Sequence, residues 1–200
     1  MGKAETLSYF RLVKYRFLSC FLLTIGIAQA QEARWKLLKL DSHLRVQVPI
    51  ATQEMDVPAT MAAAKAPNQR DPQVQAARAF RGEDAAATYV VVVVPFSGVT
   101  QLPAEAAARL DYYKNRLVPM LVTKARGELL AQSVSAKKGV DILTIKFRAL
   151  NGAGIPVVKY MRVFSVGTAI YELFFTAKDG TDQQGAAQRE QFFETLLITL

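Results

Sequence analysis

Tyr89-Val-Val-Val-Val-Val94, closed by Pro95, is the stretch that decides the fold class. β-Branched side chains suit the pleated backbone, so five consecutive valines predict a strand. The run has no polar alternation, and a strand without alternation needs cover on both faces. The expectation is a central strand, buried on both sides, with a layer of structure against each.

Working outward, Val74–Arg81 reads as the preceding partner strand, in a hairpin around Gly82-Glu83-Asp84 with a few extra alanines in the connection. Leu44-Arg-Val-Gln-Val48 alternates apolar and polar residues, the period of a half-buried strand, and Pro49 ends it. Trp35 to Leu40 is expected to pack the start of the folded region onto the domain. Residues 56–73 hold Pro58, Pro67 and Pro72 among alanines and polar residues, and read as an exposed loop.

On the other side of the valines, Pro103 to Val118 reads as a helix. Pro103 suits a first turn, and Ala106, Leu110, Tyr113 and Leu117 recur at helical spacing, with Glu105 and Arg109 pairing on the wetter side. Pro119 is expected to end or kink it, and Gly127 to mark the final stop. Four strands follow at Leu129–Ala136, Ile142–Ala149, Val157–Phe164 and Ile170–Thr176. Their breaks are Lys137-Lys138-Gly139, Asn151-Gly-Ala-Gly154 and Gly167-Thr168, and such short glycine connections imply antiparallel hairpins. Asp182 to Leu197 reads as a closing helix with Phe192, Phe193, Leu196 and Leu197 as its apolar stripe. The expected fold class is α+β: an antiparallel sheet of about six to seven strands covered by helices on both faces, an α/β/α sandwich.

Residues 1–30 read as an address. Lys3, Arg11, Lys14 and Arg16 lead into the apolar run Phe17–Ala28, and Ala28-Gln29-Ala30 has the small-x-small pattern of a cleavage site. That order predicts a secretory signal peptide removed before Gln31, and a periplasmic or secreted product. An apolar run of about a dozen residues falls short of the roughly 20 that span a bilayer, so no transmembrane span is expected after cleavage. The rival reading is an uncleaved anchor that tethers the domain to a membrane. Cys20 lies near the start of the apolar run, which suits signal filler better than a lipid attachment point.

Composition narrows the chemistry further. Cys20 is the single cysteine of the chain, so residues 31–200 have no disulfide, thiolate nucleophile or cysteine metal site. Those residues suit one domain able to build a core without staples. The whole chain carries a net charge of +8; the leader holds four Lys/Arg and one acid, so residues 31–200 carry 21 bases and 16 acids, a net +5. The charges are dispersed, with Lys137-Lys138 the one adjacent basic pair beyond the leader. Nucleic-acid binding wants a clustered stripe and is not expected; attraction to anionic lipid, wall polymer or an acidic protein is.

The order strand, hairpin, helix, four-strand meander, helix comes with particular words. These are Val46-x-Val-Pro49, Tyr89 heading its strand before Pro95, Leu102-Pro-Ala-Glu-Ala106, and Gly139 ahead of Ile142–Phe147. Then come Tyr160-Met-Arg-Val-Phe-Ser-Val-Gly167 running into Ile170-Tyr-Glu-Leu, and Phe192-Phe-Glu-Thr-Leu196. Taken together, residues 35–200 resemble the PsbP-like family of α/β/α sandwiches, in particular its secreted bacterial members. The resemblance implies non-enzymatic accessory or binding roles, such as an extrinsic photosystem subunit or a binder of a nuclear-transport GTPase. It carries over no site residue.

Candidate chemistry is sparse. His43 is the single histidine, and its place in Asp41-Ser42-His43 before a strand favours a solvent-facing turn residue over a general base or metal ligand. No Gly-x-Ser-x-Gly elbow is present, and the acid pairs Glu83-Asp84 and Asp179/Asp182 fall where turns and helix starts use capping carboxylates. Asn151-Gly-Ala-Gly154 is a hairpin turn, since neither a helix nor Gly-Lys-Ser/Thr follows it. Neither a metal nor a cofactor is expected. The best surface candidate is basic: Lys146 and Arg148 share one face of their strand, opposite Leu143, Ile145 and Phe147. Lys159 and Arg162 lie on opposite faces of the paired strand, and Lys137 and Lys138 in what reads as a nearby turn. Glu172 is expected to neutralise part of this face. The expectation is an exported non-enzymatic binding or accessory protein of the cell envelope, meeting an unidentified protein or anionic envelope component through Lys137, Lys138, Lys146 and Arg148. The alternatives are an envelope hydrolase and a membrane-tethered structural subunit.

Overall fold

The computed structural model describes residues 34–56, 76–95, 102–180, 183 and 185–200. The predicted signal peptide, nearly all of the predicted loop 56–73 and the start of the predicted strand Val74–Arg81 lie outside them. Among the described residues, ten strands and two helices are formed. The strands are β1 (Trp35–Lys39), β2 (Leu44–Pro49), β3 (Gln53–Met55), β4 (Arg78–Glu83), β5 (Ala87–Pro95), β6 (Glu128–Lys137), β7 (Val140–Leu150), β8 (Pro156–Val166), β9 (Ala169–Ala177) and β10 (Leu197–Ile198). Helix α1 is a run of 19 residues: α-helix Ala106–Tyr112, a π-helical stretch Tyr113–Leu117 and α-helix Val118–Lys124. Helix α2 is Ala186–Glu194.

The fold class is α+β, with two antiparallel sheets. A seven-stranded sheet has the order β3-β4-β5-β9-β8-β7-β6, and a three-stranded sheet the order β1-β2-β10. The meander β6 to β9 follows the expected strands, each lengthened by a residue or more at its ends. The Trp35–Leu40 segment does more than pack: it forms β1 on β2. The predicted last helix is also shorter than expected, because Leu197 has left it to form β10 on Leu44 and Arg45.

Register assigns each side chain to a face. Ala87, Tyr89, Val91 and Val93 of β5 stand beside Ala177, Phe175, Leu173 and Tyr171 of β9, and these join Phe164 of β8, Leu44, Val46 and Val48 of β2, and Phe192 and Phe193 of α2 in one core. The opposite face packs Leu143, Ile145, Phe147, Met161, Val163 and Ile170 against Tyr113, Leu117, Val118 and Val122 of α1. Helical cover of both faces is not confirmed as such, because the layer that includes α2 also contains the three-stranded sheet.

The valine run departs from its reading in one respect. β5 is interior, between β4 and β9, but its burial alternates. Val91 and Val93 are buried, whereas Val90, Val92 and Val94 are only half-buried. Five identical residues carry no alternation for a reader to see; the difference between the faces comes from what packs on each.

Two further departures have local causes. Gly82 is a strand residue and not a turn: a Cβ there would stand 2.1 Å from the buried Thr52 hydroxyl, so only glycine lets β4 lie against that side chain. The turn falls at Asp84, whose Oδ1 accepts the Ala86 and Ala87 N–H groups, each at 2.8 Å. Pro119 does not end its helix. In a regular α-helix its ring would meet the carbonyl four residues back, but the π stretch just before it widens that turn and the helix runs on to Lys124. The predicted Glu105–Arg109 pair is replaced: Arg109 donates instead to the Pro103 and Ala104 carbonyls, which precede the helix.

The alternation along β5 sets a stability contrast. Val91→Ala should cost about 2 kcal/mol and Val90→Ala under about 1 kcal/mol in chemical denaturation. Equal losses at the two positions would contradict the assignment of faces.

Candidate functional site

The four basic residues singled out above do not form one patch. Lys137 pairs with Val140 at the turn, and Arg148 lies eight residues further along β7, roughly 26 Å at strand rise. The two ends do different work. Lys137 Nζ donates to the Glu194 carbonyl at 2.9 Å, and Lys138 Nζ to the Ile198 carbonyl at 3.0 Å. Between the two ends, Arg162 donates to the Phe193 carbonyl at 2.8 Å and pairs with Glu194 at 2.6 Å, its guanidinium 4.8 Å from the Phe193 ring. Lys137 and Arg162 thus satisfy the C-terminal carbonyls of α2, where a helix dipole favours cations. Sequence alone left them as surface charges, because nothing in it brings α2 to β6 and β8.

Lys146 and Arg148 do share a face, as expected, and it is the face on which α2 packs. Cross-strand from Lys146 is Tyr160, and cross-strand from Arg148 is Val158. The Lys146 ammonium lies 5.7 Å from the centre of the Tyr160 ring, and the Arg189 guanidinium of α2 lies 4.0 Å from the same ring. Two cations therefore converge on one half-buried tyrosine. Arg148 pairs with Glu128 at 3.3 Å, both side chains more than half exposed, a contact worth under about 1 kcal/mol. The resulting surface, Lys146, Tyr160, Arg189 and Arg148, suits an anion that also presents an apolar or planar group. Arg189 and Tyr160 were not legible as members, since a helix and a strand far apart in sequence supply them.

Lys159 and Arg162 are on opposite faces, as the spacing requires. Lys159 stands beside Phe147 on the α1 side, where burial pulls its ammonium below the usual lysine range. Glu172 is also on the α1 side, with Ile170 and Phe174, and so it does not neutralise the Lys146 face. Its cross-strand neighbours are Val92 and Val163. Desolvation among them pushes its carboxyl up to about 7. Tyr113, packed on the same side and feeling the charges of Arg109 and Glu172, is raised mainly by burial. Near Tyr113, a hollow of about 190 Å³ opens between the start of α1 and the β7 and β8 ends, with Arg109, Asp141 and Ser165 in its wall.

The remaining candidates have structural employment. Asp41 Oδ1 accepts the His43 and Leu44 N–H groups at 2.7 and 2.9 Å, and its Oδ2 accepts the Tyr171 hydroxyl at 2.6 Å. His43 Nδ1 lies 3.0 Å from the Thr199 carbonyl, and Thr199 N–H donates to the His43 carbonyl at 2.8 Å. His43 thus holds the chain end in place. Glu83 pairs with Arg81 and Lys178, and Asn151 Oδ1 accepts the Ala153 and Ile155 N–H groups within its hairpin.

The raised Glu172 carboxyl fixes the sign of a pH effect. In the unfolded chain it ionises near 4.5, and in the fold only near 7. Between those values the native state holds the extra proton, so stability falls as pH rises from about 4.5 to 7, by about 3 kcal/mol in all. Glu172→Gln should flatten that slope and melt higher than the parent at pH 8. A parent slope that survives the substitution would assign the effect to another group.

No family model matches the chain, and no curated protein matches it in sequence. Among solved structures it is similar to the cyanobacterial PsbP protein CyanoP of Synechocystis, at 14% identity and a TM-score of 0.53, over 87% of this chain and 98% of that one. Weaker likenesses are to LpqN of Mycobacterium tuberculosis, involved in cell envelope biogenesis, at 12% identity, TM-score 0.42, over 84% and 91% of the two chains. A Pseudomonas aeruginosa protein of unknown function, described as a putative regulator, gives 12% identity and TM-score 0.45 over 84% and 99%. Its sheet order, its helices and its likeness to CyanoP together give this chain a PsbP-like fold.

Proposed function

We propose that the chain is an exported, non-enzymatic accessory or binding protein of the cell envelope, periplasmic or secreted. It meets an anionic partner on the face made by Lys146, Tyr160, Arg189 and Arg148. The observation that carries this reading is the convergence of the Lys146 and Arg189 cations on the Tyr160 ring, with Arg148 two residues along the strand on the same face. Lys146 and Arg189 are half-buried and Arg148 is exposed, whereas Lys137 and Arg162 cap the end of α2. The leader, Lys3 to Ala30, supports export, and among the described residues no helix is long and apolar enough to cross a membrane. The partner class is anionic lipid headgroups or an acidic protein, drawn by charge and held by contacts with the ring.

One preparation tests both halves. The protein recovered from its native envelope should begin at Gln31 by N-terminal sequencing. It should co-sediment with vesicles containing phosphatidylglycerol, and more at low than at high salt. Lys146→Glu with Arg148→Glu should reduce that binding at least several-fold while shifting the melting temperature little. Unchanged vesicle binding would remove this face as a lipid surface, and a first residue within the leader would overturn the cleaved export signal.

A further inference from the structure

The basic face runs out into an apolar tip. Toward the β7–β8 turn, register sets three rows on the side of the sheet that carries α2: Lys146 beside Tyr160, Arg148 beside Val158, and Leu150 beside Pro156. Successive rows are roughly 7 Å apart at strand rise. Cations therefore give way to apolar groups along one line. Leu150 is 39% exposed, and Ile155, across the turn, 58%. From Ala149 to Val158 the chain holds no charged residue, and Arg148 and Lys159 bound that stretch. The turn from α1 into β6 flanks its base. A Cβ on Gly127 would stand 2.3 Å from the Arg148 carbonyl oxygen, which places the exposed Lys124 and Arg126 just behind the tip. Glu128, next along, is paired with Arg148.

The tip also has little need of water. Asn151 Oδ1 accepts the Ala153 and Ile155 N–H groups, each at 2.9 Å. The Asn151 N–H donates to the Ile155 carbonyl and the Gly154 N–H to the Asn151 carbonyl, both at 2.9 Å. Backbone groups satisfied inside the turn lower the cost of taking it out of water. We propose that the hairpin tip 150–155 enters the interface of an anionic bilayer, with Lys124, Arg126, Lys146 and Arg148 at the level of the headgroups. This rests on the reading of the Lys146 and Arg148 face as anion-binding, and commits that face to lipid. An acidic protein is matched by cations alone. A bilayer presents an anionic layer and then an apolar one, in the order of the three rows. Two side chains enter rather than a span, so the attachment is interfacial and reversible.

The test compares two probes on the protein recovered from its native envelope: phosphatidylglycerol vesicles, and a soluble poly-glutamate peptide, which is anionic without an apolar layer. The parent should bind both, and keep part of its vesicle binding at high salt, where the charge attraction is screened. Leu150→Ser with Ile155→Ser should keep the melting temperature and the poly-glutamate binding, yet bind vesicles roughly tenfold more weakly. Ile155→Ser alone should lose part of that affinity. The emission of Ile155→Trp should be quenched by lipids brominated in their acyl chains, beyond any quenching of Trp35 in the parent. Unchanged vesicle binding in both serine variants, or no added quenching in Ile155→Trp, overturns the proposal and leaves the Lys146 face standing. So does a parent that binds poly-glutamate but not the vesicles. A parent that binds neither probe overturns the face together with the tip.

Discussion

The fold depends on what surrounds the Tyr89 ring. Its centroid lies 5.4 Å from that of Trp35 on β1, 5.5 Å from Phe175 on β9 and 5.3 Å from Phe192 on α2, all edge-to-face, and its hydroxyl donates to Asp84 Oδ2 at 2.7 Å. One side chain therefore ties together both sheets, α2 and the β4–β5 turn. Edge-to-face pairs contribute about 0.5–1.5 kcal/mol each beyond burial, and the hydroxyl avoids the penalty of an unpaired buried group. Burial and the Asp84 contact together raise the Tyr89 hydroxyl far above the tyrosine range, so it stays a donor throughout the physiological range. Asp41 and Tyr171 repeat the device at the β1–β2 turn: a turn aspartate caps backbone N–H groups and accepts a buried tyrosine hydroxyl. In both, a chain reversal is locked to the core by a single carboxylate.

This arrangement explains why the surface charges divide as they do. α2 is held against the sheet in its last turn, through Phe192 on the Tyr89 ring and by Arg162 and Lys137 on the Phe193 and Glu194 carbonyls. Those cations belong to the fold. Lys146 and Arg148 lie on the same sheet face, Lys146 beside Arg189 of α2 over the Tyr160 ring.

Much of this was legible in the sequence. The β6–β9 meander was readable because its glycine turns leave few ways to connect the strands, and the sharing of a face by Lys146 and Arg148 follows from strand period alone. The three-stranded sheet was not, since β10 is two residues long and its pairing with Leu44 and Arg45 joins opposite ends of the chain. The passage of α1 through Pro119 was hidden because propensity sees the proline and not the π stretch that accommodates it. Glu172 was misplaced for want of register: its facing depends on which β9 residues meet β5 and β8, information that is absent until the sheet closes. For the same reason Arg189, Tyr160 and the employment of Lys137 appear only when distant elements meet.

The central claim is that the Tyr89 cluster couples the two sheets and α2 into one cooperative unit. Native-state hydrogen exchange on Tyr89→Ala, with Tyr89→Phe as control, tests it most directly. The account predicts that Tyr89→Ala loses several kcal/mol, and that β1, β2 and α2 lose protection together with β5 and β9. Tyr89→Phe should lose about 1–2 kcal/mol, concentrated at the Asp84 turn. Protection lost only locally around β5, with β1 and α2 unchanged in Tyr89→Ala, would contradict it.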